Sequence, residues 1–306
     1  MFDLFASTAA RTPPAFLDRI SDHIMWGMYL DFSRYLIAAG AMFAFLLVFK
    51  TWANNRRIQE RRAKGMDYRR EFVSSLRTVF FFAVTTISIL VLRDAGIILL
   101  HLQEYSLWLL TAQVAVMIIV HDAYFYWLHR AMHHPKLFRP LHLHHHKSRT
   151  PTPFTAYSFS VGEAVLEAAY VPLFLLATSL MGIAYAGMAV LFFIWIQIIR
   201  NVMQHAGVEL HPAGWVDSKW TDWISTTTHH DLHHSEGRYN YGFYFTFWDR
   251  WMGTEHPEYK QRFREAAKPL VISRRVAEKV SVTVMALFAT LATLSGGLQS
   301  MGVAIA

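Results

Sequence analysis

The sequence predicts an all-α integral membrane fold of about four transmembrane helices with a histidine-rich helical cap on the cytoplasmic side, and three observations predict it. Of the 306 residues, 54% are hydrophobic and 17% charged, against roughly 25% charged in an ordinary soluble domain. Several apolar runs approach the roughly 20 residues that a bilayer-crossing helix needs. Of the 17 histidines, 15 fall within two segments, 121–146 and 205–256. So apolar a chain is not disordered. With no cysteine, it has no disulfide, thiolate metal site, iron–sulfur cluster or thiol nucleophile. The net charge of +7 sits in loops between apolar stretches, which suits an anionic membrane surface, and no nucleic-acid partner is expected.

The first twenty residues, MFDLFASTAARTPPAFLDRI, lack a basic region leading into a long apolar one, so no cleaved signal peptide is expected. Tyr35 to Trp52 is the first span. Lys50 near its end and Arg56, Arg57, Arg61, Arg62, Lys64, Arg69 and Arg70 after it have few acids among them, and the positive-inside rule makes this loop cytoplasmic. Val79 to Leu100 is the second span, interrupted near its end by Arg93 and Asp94, a pair able to neutralise itself or snorkel. The connection HLQEY has no Lys or Arg, as an outside loop should, and Ser106 to Val120 returns inward. Ala164 to Ile199, with Pro172 near its start, has the length of a helical hairpin that enters and leaves on one face. Both histidine-rich segments therefore emerge on the same side. Val280 to Leu294 is either a further span or an interfacial helix. No solenoid repeat or low-complexity tract divides the chain, so 1–306 is expected to be one membrane domain. The C-terminal MGVAIA carries no retention signal, which favours a bacterial inner membrane.

The histidines recur at helical offsets. In WLHRAMHH, His129 and His133 are four apart; in LHLHHHKS, His142, His145 and His146 stand at i, i+3 and i+4; in TTHHDLHHS, His230, His233 and His234 repeat that spacing. On a helix these offsets share a face. A ligating imidazole uses one ring nitrogen for metal while the other donates to an acceptor. With His205 there are nine candidates, more than one tetrahedral site takes and enough for two metals with open positions. Asp122, Asn201, Gln204 and Asp231 are candidates for orienting the rings. His23 and His101 read as structural, and His134, His144, His211, His229 and His256 sit beside the pattern without being required by it. Imidazole suits zinc, copper, iron and nickel alike. No His-Glu-x-x-His run or Gly-x-Ser-x-Gly elbow is present. A pair of histidine-held metals beside a lipid-facing bundle fits dioxygen activation for attack on a C–H bond of a hydrophobic substrate. A histidine-rich membrane metal transporter and a zinc-dependent membrane hydrolase are the other two readings.

Over residues 114–260 the sequence resembles the fatty acid hydroxylase and sterol desaturase superfamily. The resemblance is carried by HDAYFYWLHRAMHHPKLFRPLHLHHHKSRTPTPF, NVMQHAGVELHP and STTTHHDLHHSEGRYNYGFYFTFWDRWMGTEHPEY. It implies that His129 and His133 form the first histidine box, that His142, His145, His146 and His230, His233, His234 form the other two, and that His205 is the additional ligand. It implies a two-iron (Fe2+) centre and an oxidoreductase that uses dioxygen to hydroxylate or desaturate a lipid, with no catalytic residue beyond the metal ligands. The substrate class is a sterol, an acyl chain or another isoprenoid or polar lipid. Nothing resembles a fused cytochrome or ferredoxin domain, so electrons are expected from a separate donor of ferredoxin or cytochrome type. Tyr124, Tyr126, Trp127, Phe154, Tyr157, Tyr241 and Trp248 are candidates for lining a lipid channel.

Overall fold

A computed structural model describes residues 16–101 and 106–268. Val280 to Leu294 and most of the HLQEY connection lie outside these residues. Five helices are long and apolar enough to cross a membrane. We number them, with the shorter cap helices, in chain order: α1 (Phe16–Val48), α2 (Gly65–Asp94), α3 (Leu107–Met132), α4 (Val161–Ala168) continued by α5 (Tyr170–Leu180), α6 (Gly187–Gln204), α7 (Thr227–Glu236), α8 (Phe247–Trp251) and α9 (Tyr259–Ala266).

Local chemistry sets their limits. Ser106 caps α3 by accepting from the Leu109 N–H at 3.2 Å, and Ser160 caps α4 by accepting from the Glu163 N–H at 3.1 Å, each satisfying a donor the helix leaves free. The boundary between α4 and α5 has a covalent cause: Pro172 has no N–H to give the Ala168 carbonyl four residues back. Thr226 caps α7 through the His229 N–H at 3.3 Å. Gly237, at φ +71°, ends α7 in the left-handed region that favours glycine.

The spans differ from the sequence reading at their ends. Arg93 and Asp94 do not interrupt α2 but close it, paired to each other at 2.8 Å. The expected hairpin is α4–α5 and α6, whose preceding strand β2 (Tyr185–Ala186) pairs in parallel with β1 (Leu100–His101). The largest difference is α3, which continues past Val120 to Met132. Its 26 residues are about 39 Å long at 1.5 Å each, and the hydrocarbon core is about 30 Å thick. The surplus, about six residues, is enough to carry His129 beyond an apolar layer of that thickness on the same helix.

Side chains such as Ile37, Phe80, Ile119, Leu173 and Phe192 stand exposed along all five spans, as lipid-facing positions should. Inside, Tyr35, Ala39, Val79, Tyr157, Ile198 and Val202 make one buried cluster. Ile98, Met117, Tyr170, Leu175 and Phe193 belong to a second.

Arg56, in the loop between α1 and α2, ties the spans to the cap. Its Nε donates to the Glu209 carbonyl at 2.7 Å, and its other nitrogens donate to the carbonyls of Lys268 and His211. Arg56→Ala strands these acceptors. A loss of about 2–4 kcal/mol is expected, read as a lowered thermal midpoint of the detergent-purified protein, while Arg61→Ala at an exposed position leaves the midpoint unchanged.

Candidate metal centre

Nine imidazoles from four parts of the chain converge. His129 stands in the last turn of α3 and His133 on its cap. His142, His145 and His146 lie not on a regular α-helix but on a π-helical turn, Phe138–His142, followed by a 3-10 turn, His145–Lys147. His205 caps α6, and His230, His233 and His234 lie on α7. They form two groups, each with ring nitrogens within 4.8 Å of one another: His129, His133, His142, His146 and His233, then His145, His205, His230 and His234. The groups adjoin, with the rings of His146 and His234 5.0 Å apart and those of His230 and His233 5.6 Å apart. Each triplet is divided between them, so the adjacent residues His145 and His146 turn to opposite groups, as do His233 and His234.

Ring protonation follows from the outward partners. The Nδ1 of His129 faces the Tyr241 carbonyl at 2.9 Å, that of His205 the Asn201 carbonyl at 2.8 Å, that of His233 the Tyr239 carbonyl at 2.7 Å and that of His234 the Ser148 carbonyl at 3.0 Å. His142 Nδ1 faces the Glu163 carboxylate at 2.7 Å, and His145 Nδ1 is 3.4 Å from the Ser158 carbonyl. These oxygens accept, so Nδ1 carries the proton and Nε2 keeps a lone pair. The Nε2 atoms nevertheless face each other: His129 and His142 at 3.0 Å, His205 and His234 at 3.1 Å, His205 and His145 at 3.3 Å. Two lone pairs at that distance repel unless a cation lies between them. Two nitrogens each about 2.0–2.1 Å from a divalent ion, at a right angle, stand about 3.0 Å apart. The donor set therefore fits metal, and its all-imidazole character fits a transition metal rather than calcium or magnesium.

The supports for these rings are carboxylates anchored elsewhere. Asp249 accepts from the N–H groups of Tyr241 and Gly242 at 2.8 and 2.7 Å and so fixes the turn whose Tyr239 and Tyr241 carbonyls take His233 and His129. A Cβ on Gly242 would come within 2.5 Å of the Phe245 carbonyl, so only glycine fits there. Glu71, inside α2, accepts from Ser148 at 2.7 Å and Thr152 at 2.5 Å, holding the segment whose Ser148 carbonyl takes His234. Glu209 accepts from the N–H and hydroxyl of Thr228 at 2.8 and 2.6 Å, fixing the start of α7.

The side chains expected to orient the rings do other work. Asp122 accepts from the Tyr244 N–H at 2.7 Å, Asn201 donates to the Ala156 carbonyl at 2.7 Å, Gln204 donates to Ser225 and Phe243, and Asp231 accepts from Gln59 at 2.7 Å. Backbone carbonyls and Glu163 hold the rings instead. Carbonyls have no sequence signature, whereas Glu163, an acid at the start of an apolar span, does carry one. The histidines beside the pattern stay outside both groups. His144 meets Ser74 at 2.8 Å, His211 meets Glu209 at 2.9 Å, His256 meets Glu236 at 3.0 Å, His229 lies 3.5 Å from Asp249, and His134 caps the turn after α3. Of the aromatics expected to line a channel, Tyr157 faces a cavity between the spans, while Phe154 packs with Tyr35, Phe43 and Phe72, and Tyr126 stacks on Trp248.

Burial, then repulsion from neighbouring imidazoles, pushes the cluster histidines far below their usual value, His133 to about 2 and His146 to about 3. Burial takes His205 to about 4. They are neutral at physiological pH and competent as ligands. In the unfolded chain they titrate near 6.5, so between that pH and their folded values the unfolded state binds more protons, and stability rises with pH. Metal-free protein is expected to be fully stable above about pH 7 and to lose stability with a slope of more than one proton as pH falls from 6.5 toward 4. Denaturant midpoints across that range measure it, and a flat profile contradicts it.

Residues 114–254 match the fatty acid hydroxylase family. Among curated proteins, lathosterol oxidase of Homo sapiens is 28% identical over 186 residues, covering 60% of this chain and 59% of that protein. Delta(7)-sterol 5(6)-desaturase ERG3B of Gibberella zeae is 27% identical over 182 residues, 57% of this chain and 53% of that protein. Delta(7)-sterol 5(6)-desaturase erg3C of Aspergillus fumigatus is 28% identical over 199 residues, 61% of this chain and 62% of that protein. The chain thus matches about three-fifths or less of the length of these relatives. No solved structure matches it.

Proposed function

We propose that this chain, whose residues 114–254 match the fatty acid hydroxylase family, is a membrane oxidoreductase that uses dioxygen to desaturate or hydroxylate a sterol or sterol-like lipid, with its nine clustered histidines holding two iron ions. The observation that carries this reading is the set of facing Nε2 lone pairs, each on a ring whose Nδ1 proton is already committed. The sterol class is taken from what the relatives are named for. Iron in such a site supplies one-electron chemistry able to reduce dioxygen and oxidise an unactivated C–H bond.

The chain's part is placement and exclusion. A void of about 10 Å³ is bordered by His129 and His142 of one group and by His145, His205 and His230 of the other, room for about one water-sized molecule. Phe125 and Phe159 close its apolar side, keeping bulk water from the reacting atoms. Glu163 fixes the His142 ring and raises its basicity as a ligand. The basic loop after α1 orients the histidine cap to the cytoplasm, in a bacterial inner membrane. A separate donor of ferredoxin or cytochrome type supplies electrons from that side, steered by the basic surface.

His145→Ala and His230→Ala are each expected to abolish turnover while the protein stays membrane-inserted, and metal analysis of the purified variants should show less than the wild-type content. Glu163→Ala, which frees the His142 ring, should weaken metal affinity by about 10–100-fold. Lipid mass spectrometry of cells with and without the gene, under oxygen, reads the reaction as a loss of two hydrogens or a gain of one oxygen. Activity that persists without oxygen, or full turnover by both histidine variants, overturns the reading. Tags at 53–70 and near 215 should both report the cytoplasm.

A further inference from the structure

A cavity of about 80 Å³ lies between the spans and draws lining residues from all five, among them Asp31 of α1, Thr85 of α2, His121 of α3, Tyr170 of α5 and Phe193 of α6. Glu167 of α4 and Gln197 of α6 line both this cavity and the small void beside the histidine groups. They are the polar side chains standing at the junction.

Their chemistry is unspent. Neither Glu167 nor Gln197 has a hydrogen-bond partner among the described residues, although both sit in membrane-spanning helices. Glu163, one turn before Glu167 on the same face, is by contrast committed to His142. His121 is 2% exposed and lines the same cavity, its ring enclosed by Tyr170, Phe193 and Phe243 at 4.6–5.7 Å, and its Nδ1 has no partner among the described residues. Polar groups at such depth are ordinarily paired. Three of them, on three helices, face one otherwise largely apolar space, and this arrangement suits a ligand that is mostly hydrocarbon with one polar group.

We infer that Glu167, Gln197 and His121 form a polar anchor for a hydroxyl group of the lipid substrate, and that the anchor decides which carbon reaches the histidine groups. An alcohol both donates and accepts, so it satisfies a carboxyl, a carboxamide and an imidazole without bringing a charge into the span. Because Glu167 and Gln197 border both spaces, the carbon presented to the small void is one close along the skeleton to the hydroxyl-bearing carbon, and the remaining hydrocarbon fills the cavity toward Phe82 and Ile89. This inference rests on the lipid-oxidising reading above and adds the polar group that the substrate must carry.

The test uses iron-loaded, detergent-purified protein and two matched pairs of probes, lathosterol with cholest-7-ene and octadecan-1-ol with octadecane, titrated by thermal shift. Wild type is expected to bind the alcohol of at least one pair at least about tenfold more tightly than its hydrocarbon. Glu167→Gln keeps that preference, whereas Glu167→Leu and Gln197→Leu each lose it while still binding the hydrocarbon, a result that a misfolded variant cannot give. Equal binding within both pairs, or a preference untouched in both leucine variants, overturns the anchor and leaves these groups to bound water. Oxygen-dependent product formation, measured on the same preparations, scores the oxidase reading separately. Alcohol preference without oxidised product sinks that reading alone; oxidised product without alcohol preference sinks the anchor alone.

Discussion

Nine neutral imidazoles, buried together with their Nε2 lone pairs turned inward, are the constraint on which the rest of this molecule depends. Burial forbids them to be charged, and in six of them the outward Nδ1 proton is already given to a carbonyl or to Glu163. No arrangement of protons then satisfies the facing nitrogens, and a bound cation does. Ion binding at such a cluster is coupled to folding, and it is favoured when the rings are already held in place. The surrounding structure is organised to do that.

The means is a set of buried carboxylates that hold loops rather than rings. Glu71 in α2 grips Ser148 and Thr152, Glu209 grips the start of α7, and Asp249 grips the turn at Tyr241 and Gly242. Each gripped segment presents a backbone carbonyl or a helix start to an imidazole. A carboxylate in direct contact with the ion would change its charge and softness, whereas one acting through a loop sets geometry and leaves an all-nitrogen donor set. Glu163 is the exception among these acids that touches a ring of the metal cluster.

The membrane decides the rest. Helix α3 crosses the apolar layer and keeps going, so the first histidine box is rigidly attached to a span, and the cavity between the spans meets the small void at Glu167 and Gln197. For the lipid substrate proposed above, these two adjoining spaces are the path to the histidines that stays between the spans.

The sequence by itself determined what can be read from composition and short spacing. Apolar runs of bilayer length gave the helical membrane class, the basic loop after α1 gave an expected orientation, and the histidine offsets singled out eight of the nine residues that the fold gathers, His205 being added by the resemblance. Those signals are local, because hydropathy and helical period are properties of neighbouring residues. Only the tertiary structure decided that His145 and His146, or His233 and His234, turn to opposite groups, since adjacent side chains on a tight turn point apart and only the approach of another element says what each one meets. Only the fold likewise assigned ring orientation to carbonyls in place of Asp122, Asn201, Gln204 and Asp231, because every residue carries a carbonyl and its direction is set by long-range backbone geometry. The same holds for the acids: the partners of Glu71 and Glu163, 77 residues away for Ser148 and 21 for His142, exist only once the chain has folded back on itself.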